Sequence, residues 1–291
     1  MALFLQDLIN GISAGALFAV AAVGFSFVFA TTKVFNAAYG AVYLVGAYVF
    51  IEIHNVIPGY LGIILSVIVG IAAASAFSVL STITVYDHMI KRGRSFFAVF
   101  VTSFGVLIVV ENALAIPFGT GTQLLGSSLL NGFEVGGVQI TWATILSVCA
   151  SAAILAALTV FFFRSNLGIQ LRSMADNDGL VSAIGLPAKR YRWLAFAIGG
   201  MVVAPAAILT VYVQGVAPSD GLNVLTISMA ATIVGGVGSL AGAGISGLVF
   251  GIAENLAAWK LPGAWEPTVA FGLFFVIIMV RPQGFVNRGW Q

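Results

Sequence analysis

An all-α, polytopic membrane helix bundle, with about seven full spans plus one glycine-broken helical hairpin, is what three observations on this 291-residue chain predict. The composition is 60% hydrophobic and only 8% charged, with a mean hydropathy of +1.08, so the exterior has to match lipid rather than water. The apolar residues fall into charge-poor runs at 8–32, 37–57, 60–86, 95–118, 139–163, 193–213, 224–258 and 264–280. Most of these approach or exceed the roughly 20 residues that cross a hydrocarbon core about 30 Å thick. Lipid offers no partner to open backbone, which leaves helices as the economical reading. Finally, Lys and Arg mark one set of run ends. Lys33, Lys91-Arg92-Gly93-Arg94, Arg164, Arg172, Lys189, Arg190, Arg192, Arg281 and Arg288 can share one side, while Asp7, Glu52, Glu134, Asp220 and Glu266 fall at the others. By the positive-inside rule this puts the N-terminus outside and the C-terminus inside, with Lys260 as the one external base.

Run by run, the expectations are specific. Residues 8–32 follow Asp7 rather than a basic n-region and are long enough to stay as a span, so no cleaved leader is expected. The second run opens on Val34-Phe35-Asn36-Ala-Ala-Tyr39-Gly40-Ala-Val-Tyr43-Leu-Val-Gly46-Ala-Tyr48, where an amide and phenols interrupt apolar residues. An interrupted helix of this kind lets unwound backbone line a polar route without burying full charges. The run 95–118 carries Glu111 beside Asn112, and 139–163 carries the single cysteine, Cys149, which has no intrachain disulfide partner. Residues 224–258 must begin and end on the same side, because Asp220 precedes them and the last run must finish inside. Gly235-Gly-Val-Gly238-Ser239-Leu-Ala-Gly242-Ala-Gly244 supplies a break, so a hairpin turning near these glycines is predicted. Small residues at Gly11/Gly15, Gly238/Gly242 and Gly247/Gly251 suit close helix packing. Trp142, Trp193, Trp259, Trp265 and Trp290 fall near interfaces as belt anchors. The whole chain, 1–291, reads as one transmembrane domain, with 1–118 and 139–281 as possible halves.

Between two spans lies the one long polar segment, 164–192, which keeps apolar residues at Leu167, Leu171, Met174, Leu180, Val181 and Ile184. Leu167–Ala175 can form a short amphipathic helix. Asp176-Asn177-Asp178 offers N-caps for a second helix, and Gly185 with Pro187 ends it. Two readings stand at this level: a cytoplasmic docking knob, or an amphipathic loop lying on lipid headgroups.

Phe35-Asn36-Ala-Ala-Tyr39-Gly40, the segment ending Ala183-Ile184-Gly185-Leu186-Pro187, and Val234-Gly235-Gly-Val-Gly238-Ser239-Leu-Ala-Gly242-Ala…Gly251-Ile-Ala-Glu254 occur in an order and spacing that resemble permease subunits of branched-chain amino acid ABC importers. The resemblance extends over almost the whole chain. It implies a bacterial inner-membrane subunit paired with a second, similar permease, a different one by the family's pattern. It also implies two cytoplasmic ATPases that bind ATP and magnesium, and an external solute-binding protein. Arg172, Asp176, Asp178, Ala183, Ile184, Gly185, Leu186 and Pro187 would then belong to the ATPase-coupling segment. Such permeases often show His or Gln where this chain has Tyr39, and an acid where it has Ala41, which bears on the solute. Urea, short amides or aromatic acids are carried by similar permeases.

The expected pathway groups are Asn36, Tyr39 and Tyr43 from the interrupted helix and Gly238-Ser239 from the hairpin. No catalytic residue, metal site or resident cofactor is expected in this chain, nor a nucleic-acid partner at a net charge of +2. No Gly-x4-Gly-Lys-Ser/Thr string is present to cradle phosphates, so energy must come from a partner or an ion gradient. The competing class is therefore a single-chain secondary transporter with Glu111 or Glu254 carrying protons, since an acid inside a span is a functional candidate by default; the alternative for Glu254 is a neutral or hydrogen-bonded tie to a neighbouring helix. A passive channel is the third class. Gly11-Ile-Ser13-Ala-Gly15 and Gly244-Ile-Ser246-Gly247 have the form of serine-nucleophile strings, but a base must lie within hydrogen-bond reach, and His54 and His88 fall at span ends, where they read as solvent-facing.

Overall fold

Helices form wherever the apolar runs predict them, and their ends fall at the Gly, Pro and polar clusters. The computed structural model describes residues 2–91, 95–125, 132–135, 137–176, 187–259, 265–281 and 284. In order, α1 (Ala2–Thr32) is followed by α2 (Tyr39–Val56) and α3 (Tyr60–Ser81); α3 runs through a π-helical turn, Thr82–Tyr86, into α4 (Asp87–Lys91). Then come α5 (Phe96–Phe118), the strands β1 (Gly132–Val135) and β2 (Val138–Thr141), α6 (Trp142–Arg164) and α7 (Asn166–Asp176). The last helices are α8 (Ala188–Val213), α9 (Asp220–Gly235), α10 (Leu240–Ala258) and α11 (Glu266–Val280).

The bundle is layered around α1 and α8. Within the most apolar window of α1, 83% of residues lie inside the protein, against 17% for α5, so α1 is an axis and α5 an exposed flank. α1 packs most extensively on α10 and also on α8, α9 and α6, while α2 is held between α3 and α8. Exposed Val109, Ile116, Val160, Phe275 and Met279 on the flanking helices are the surface a bilayer would cover. The molecule is a multi-pass membrane protein.

The predicted set of full spans differs from the structure in three places. Among the described residues six helical stretches are long and apolar enough to cross a membrane: Leu3–Thr32, Tyr60–Met89, Phe97–Phe118, Trp142–Arg164, Ala188–Val213 and Leu240–Ala257. The second arm of the hairpin thus qualifies by itself, whereas the last run yields a helix of 15 residues, about 22 Å long, because Pro267 at its first turn fixes where it can start. α2, at 18 residues, is polar enough through Glu52, His54 and Asn55 to stand apart from the six.

The break in 224–258 falls where the glycines place it. α9 stops at Gly235; Gly236 and Gly238 take φ of +99° and +90°, values that a side chain disfavours. Ser239 then caps α10, its hydroxyl accepting from Gly242 N at 3.1 Å. The two arms close back to back at Gly235 and Gly242, where a Cβ on Gly242 would stand 1.9 Å from Gly235 O.

A second correction concerns the all-α reading. β1 and β2 form an antiparallel hairpin with Val135 opposite Val138; Gly137 leads into β2 with a φ of +82°, and the Gly-Gly dipeptide at 136–137 of the sequence is a readable hairpin signal. Its Gln139 is held to α1 by a paired amide contact: Gln139 N donates to Gln6 Oε1 at 2.8 Å, and Gln6 Nε2 donates to Gln139 O at 3.1 Å.

Candidate functional site

Helix α7 extends one residue beyond each end of the predicted Leu167–Ala175. Ser165 starts it by accepting from Gly168 N at 2.9 Å. Its amphipathic face is turned to the bundle: Leu171 is buried in the core shared with Phe27, Phe162 and Phe196, and Met174 is buried as well, while Leu167 and Ile169 are exposed. Arg172 lies over the Phe162 and Phe163 rings at 5.8 and 5.5 Å. Asp176 is the last residue of α7 and Pro187 stands at the N-cap of α8; Asp178, Ala183, Ile184, Gly185 and Leu186 lie outside the described residues.

At the base of α8 the structure shows a cluster that sequence reasoning missed. Asp87, only 5% exposed, meets Arg192 Nη1 at 3.3 Å and Lys189 Nζ at 3.6 Å, and accepts from Trp193 Nε1 at 2.9 Å. Trp193 is therefore more than a belt anchor. The readable signal was an acid at an otherwise basic set of run ends.

The predicted pathway residues sit along the start of α2. Asn36 occupies the α1–α2 break, where Lys33 has a φ of +55° and Ala37 N donates to Ser103 Oγ at 3.1 Å. The Asn36 side-chain oxygen accepts from the Tyr86 hydroxyl, and its amide nitrogen has no partner among the described residues. Tyr39 is 1% exposed and donates to Ala21 O at 2.9 Å. It stands inside the α1–α8 core, against Gly24 and Phe25. One turn further along, Tyr43 borders a cavity of about 200 Å³ with Thr210, Asp220, Asn223, Glu254 and Asn255. Gly238 and Ser239 form the α9–α10 turn, near Ser26 of α1 and far along α10 from Glu254. The structure thus brings Tyr43 together with Glu254 but leaves Gly238-Ser239 at the opposite end of the hairpin.

Among the described residues the cavity is lined by two acids and no base. Its volume leaves room for a small polar solute. Of these two acids, Glu254, 7% exposed, lies within α10, whereas Asp220 opens α9. Glu111 does something different: its Oε1 accepts from Leu222 N at 2.9 Å, supplying a carboxylate to the first turn of α9, where helix N–H groups lack intrahelical partners. Glu111→Gln keeps an acceptor there and is expected to leave uptake within about twofold, whereas Glu111→Ala should cost about 1 kcal/mol in a thermal melt of the purified protein. Complete loss of uptake in a folded Glu111→Gln protein would instead mark a proton carrier. Of the histidines, His88 is exposed, but His54 is half-buried and stacks on Phe50 at 5.8 Å, which corrects its solvent-facing reading.

The family model described as "Branched-chain amino acid transport system / permease component" matches residues 8–280. The chain is similar to the high-affinity branched-chain amino acid transport system permease protein BraD of Pseudomonas aeruginosa, 29% identical with 98% of this chain and 96% of that one covered. It is equally similar to LivH of Escherichia coli, 29% identical over the same shares. A probable branched-chain amino acid transport permease protein LivH of Methanocaldococcus jannaschii is 22% identical over 94% of this chain and 90% of its own length. Among solved structures, a chain of PsaBC from Streptococcus pneumoniae in complex with Fab superposes with a TM-score of 0.50 at 17% identity, covering 96% of this chain and 92% of that chain. That likeness concerns the fold.

Proposed function

This chain belongs to the family of branched-chain amino acid transport system permease components, and from that premise we propose that it is the membrane-spanning subunit of an ATP-driven ABC importer in a bacterial inner membrane. The solute class is branched-chain amino acids, delivered by an external binding protein. A second, similar permease and two cytoplasmic ATPases complete the assembly, with the N-terminus outside and the C-terminus inside. The observation that carries this reading is the match over residues 8–280, and the cavity supports it. Two carboxylates and several neutral donors and acceptors, with no base among the described lining residues, suit the ammonium end of an amino acid. Tyr43 and Glu254 face the solute there, Asn36 lies further in, and Gly238-Ser239 belongs to the inner end of the route.

Segment 164–192 takes the docking role. Because α7 is fixed to the bundle by Leu171 and Met174, the segment has a rigid near side, and residues 177–186 are left to meet an ATPase. A cysteine placed at Ala183 in the assembled complex is expected to crosslink to an ATPase cysteine in good yield, and the yield should change with bound nucleotide. No crosslink in an active complex would count against docking, and gradient-driven leucine uptake by the purified chain alone would favour the ion-coupled class instead.

A further inference from the structure

We propose that Asp87 and Tyr86 are positioning residues that carry movement of the ATPase-docking segment to the α1–α2 break, an inference that rests on the importer reading above. The two are neighbours in sequence and grip different elements. Asp87 holds Lys189, Arg192 and Trp193, in the first two turns of α8, where the docking segment runs into the bundle. Tyr86 donates its hydroxyl to Asn36 and packs its ring on Phe196 of α8 at 5.2 Å. A displacement of residues 187–193 therefore acts on Asn36 through one dipeptide.

The energetics make this linkage stiff at one end and poised at the other. A carboxylate that is 5% exposed is tolerable only while its cationic partners stay with it, because separation would strand a desolvated charge. The base of α8 and α4 should therefore move as a unit. At the other end, the Asn36 amide nitrogen is buried without a partner among the described residues, an unfavourable arrangement that a second position of the break can relieve. The π-helical turn Thr82–Tyr86 lies between the long α3 and this grip. Such turns interrupt the regular backbone ladder and recur at functional sites, which lets 82–91 shift without displacing Tyr60–Ser81.

The test uses the complete importer, with both permeases, the ATPases and the binding protein, in vesicles where leucine uptake and ATP hydrolysis are read together. Asp87→Asn keeps an acceptor for Trp193 but ends both ion pairs. We expect ATP hydrolysis within about twofold of the unmodified complex and uptake per ATP lowered about tenfold, a typical size for coupling between sites. Tyr86→Phe should lower the ratio in the same direction, and Asp87→Glu should recover most of it. A merely structural role moves uptake and hydrolysis together, so a proportional fall, or an unchanged ratio in both Asp87→Asn and Tyr86→Phe, overturns the proposal. Should Asp87→Asn not assemble, Arg192→Gln and Tyr86→Phe decide on the same ratio. Failure of the importer reading would look different: the unmodified complex itself would show no ATP-dependent uptake, and both would fall.

Discussion

Gly251→Val is expected to leave almost no folded protein in a detergent extract. Gly251 lies where α10 crosses α1, and a Cβ there would stand 2.2 Å from Gly15 Cα, a backbone atom that cannot rotate away. The same crossing is tight on both sides: a Cβ on Gly15 would stand 2.6 Å from Leu248 O, one on Gly247 would stand 2.7 Å from Ala19 Cα, and one on Gly11 would stand 3.0 Å from Ile252 Cα. Relief requires the two helices to part along their whole contact, and α1 with α10 is the largest interface in the molecule. Lipid tails are as apolar as the side chains that would separate, so contact between close-packed small residues is what holds such helices together. Extra methylenes in a well-packed core cost about 1–3 kcal/mol and occasionally more, and here the obstruction is backbone. Gly272→Val provides the comparison, because nothing lies within 4 Å of a Cβ at Gly272; its expected cost is below about 0.5 kcal/mol. Size-exclusion profiles and thermal melts of the two proteins check this. A Gly251→Val protein that elutes and melts like the unmodified one would mean that α1 and α10 do not meet in this way.

That crossing was legible in the sequence, since Gly11/Gly15 and Gly247/Gly251 have the spacing that puts small residues on one face of each helix. The same holds for the Gly235–Gly244 break and the amphipathic turns of α7, because glycine content and helical periodicity are local signals. What stayed hidden depends on distant partners. Asp87 meets residues about a hundred positions away, and Glu111 caps a helix that starts at Asp220. Periodicity marks an acid in an apolar run as exceptional but cannot say whether it carries protons or ends a helix. The β-hairpin was missed for a different reason: its strands are four residues each, short beside the long spans around them.

Tyr39 shows where a sequence signal and its structural setting diverge, and Tyr39→Ala should have the second large effect. A phenol in an interrupted helix suggests a group facing the solute. The structure instead encloses it, with the ring edge-on to Phe25 at 5.5 Å and the hydroxyl on Ala21 O at 2.9 Å. Truncating a buried aromatic to alanine costs about 3–5 kcal/mol, so Tyr39→Ala should melt well below the unmodified protein. Tyr39→Phe should lose only about 1 kcal/mol, because Ala21 O keeps its place in the helical ladder and no donor is stranded. On the route proposed above, Tyr39, one turn from the cavity at Tyr43 and three residues from Asn36, would close the way between them. Any Tyr39→Ala complex that assembles should leak leucine without ATP, while Tyr39→Phe should stay tight and active. A Tyr39→Phe complex with normal melting but no uptake would reverse the assignment, since only a hydroxyl that meets the solute during the cycle would be missed so much more in transport than in stability.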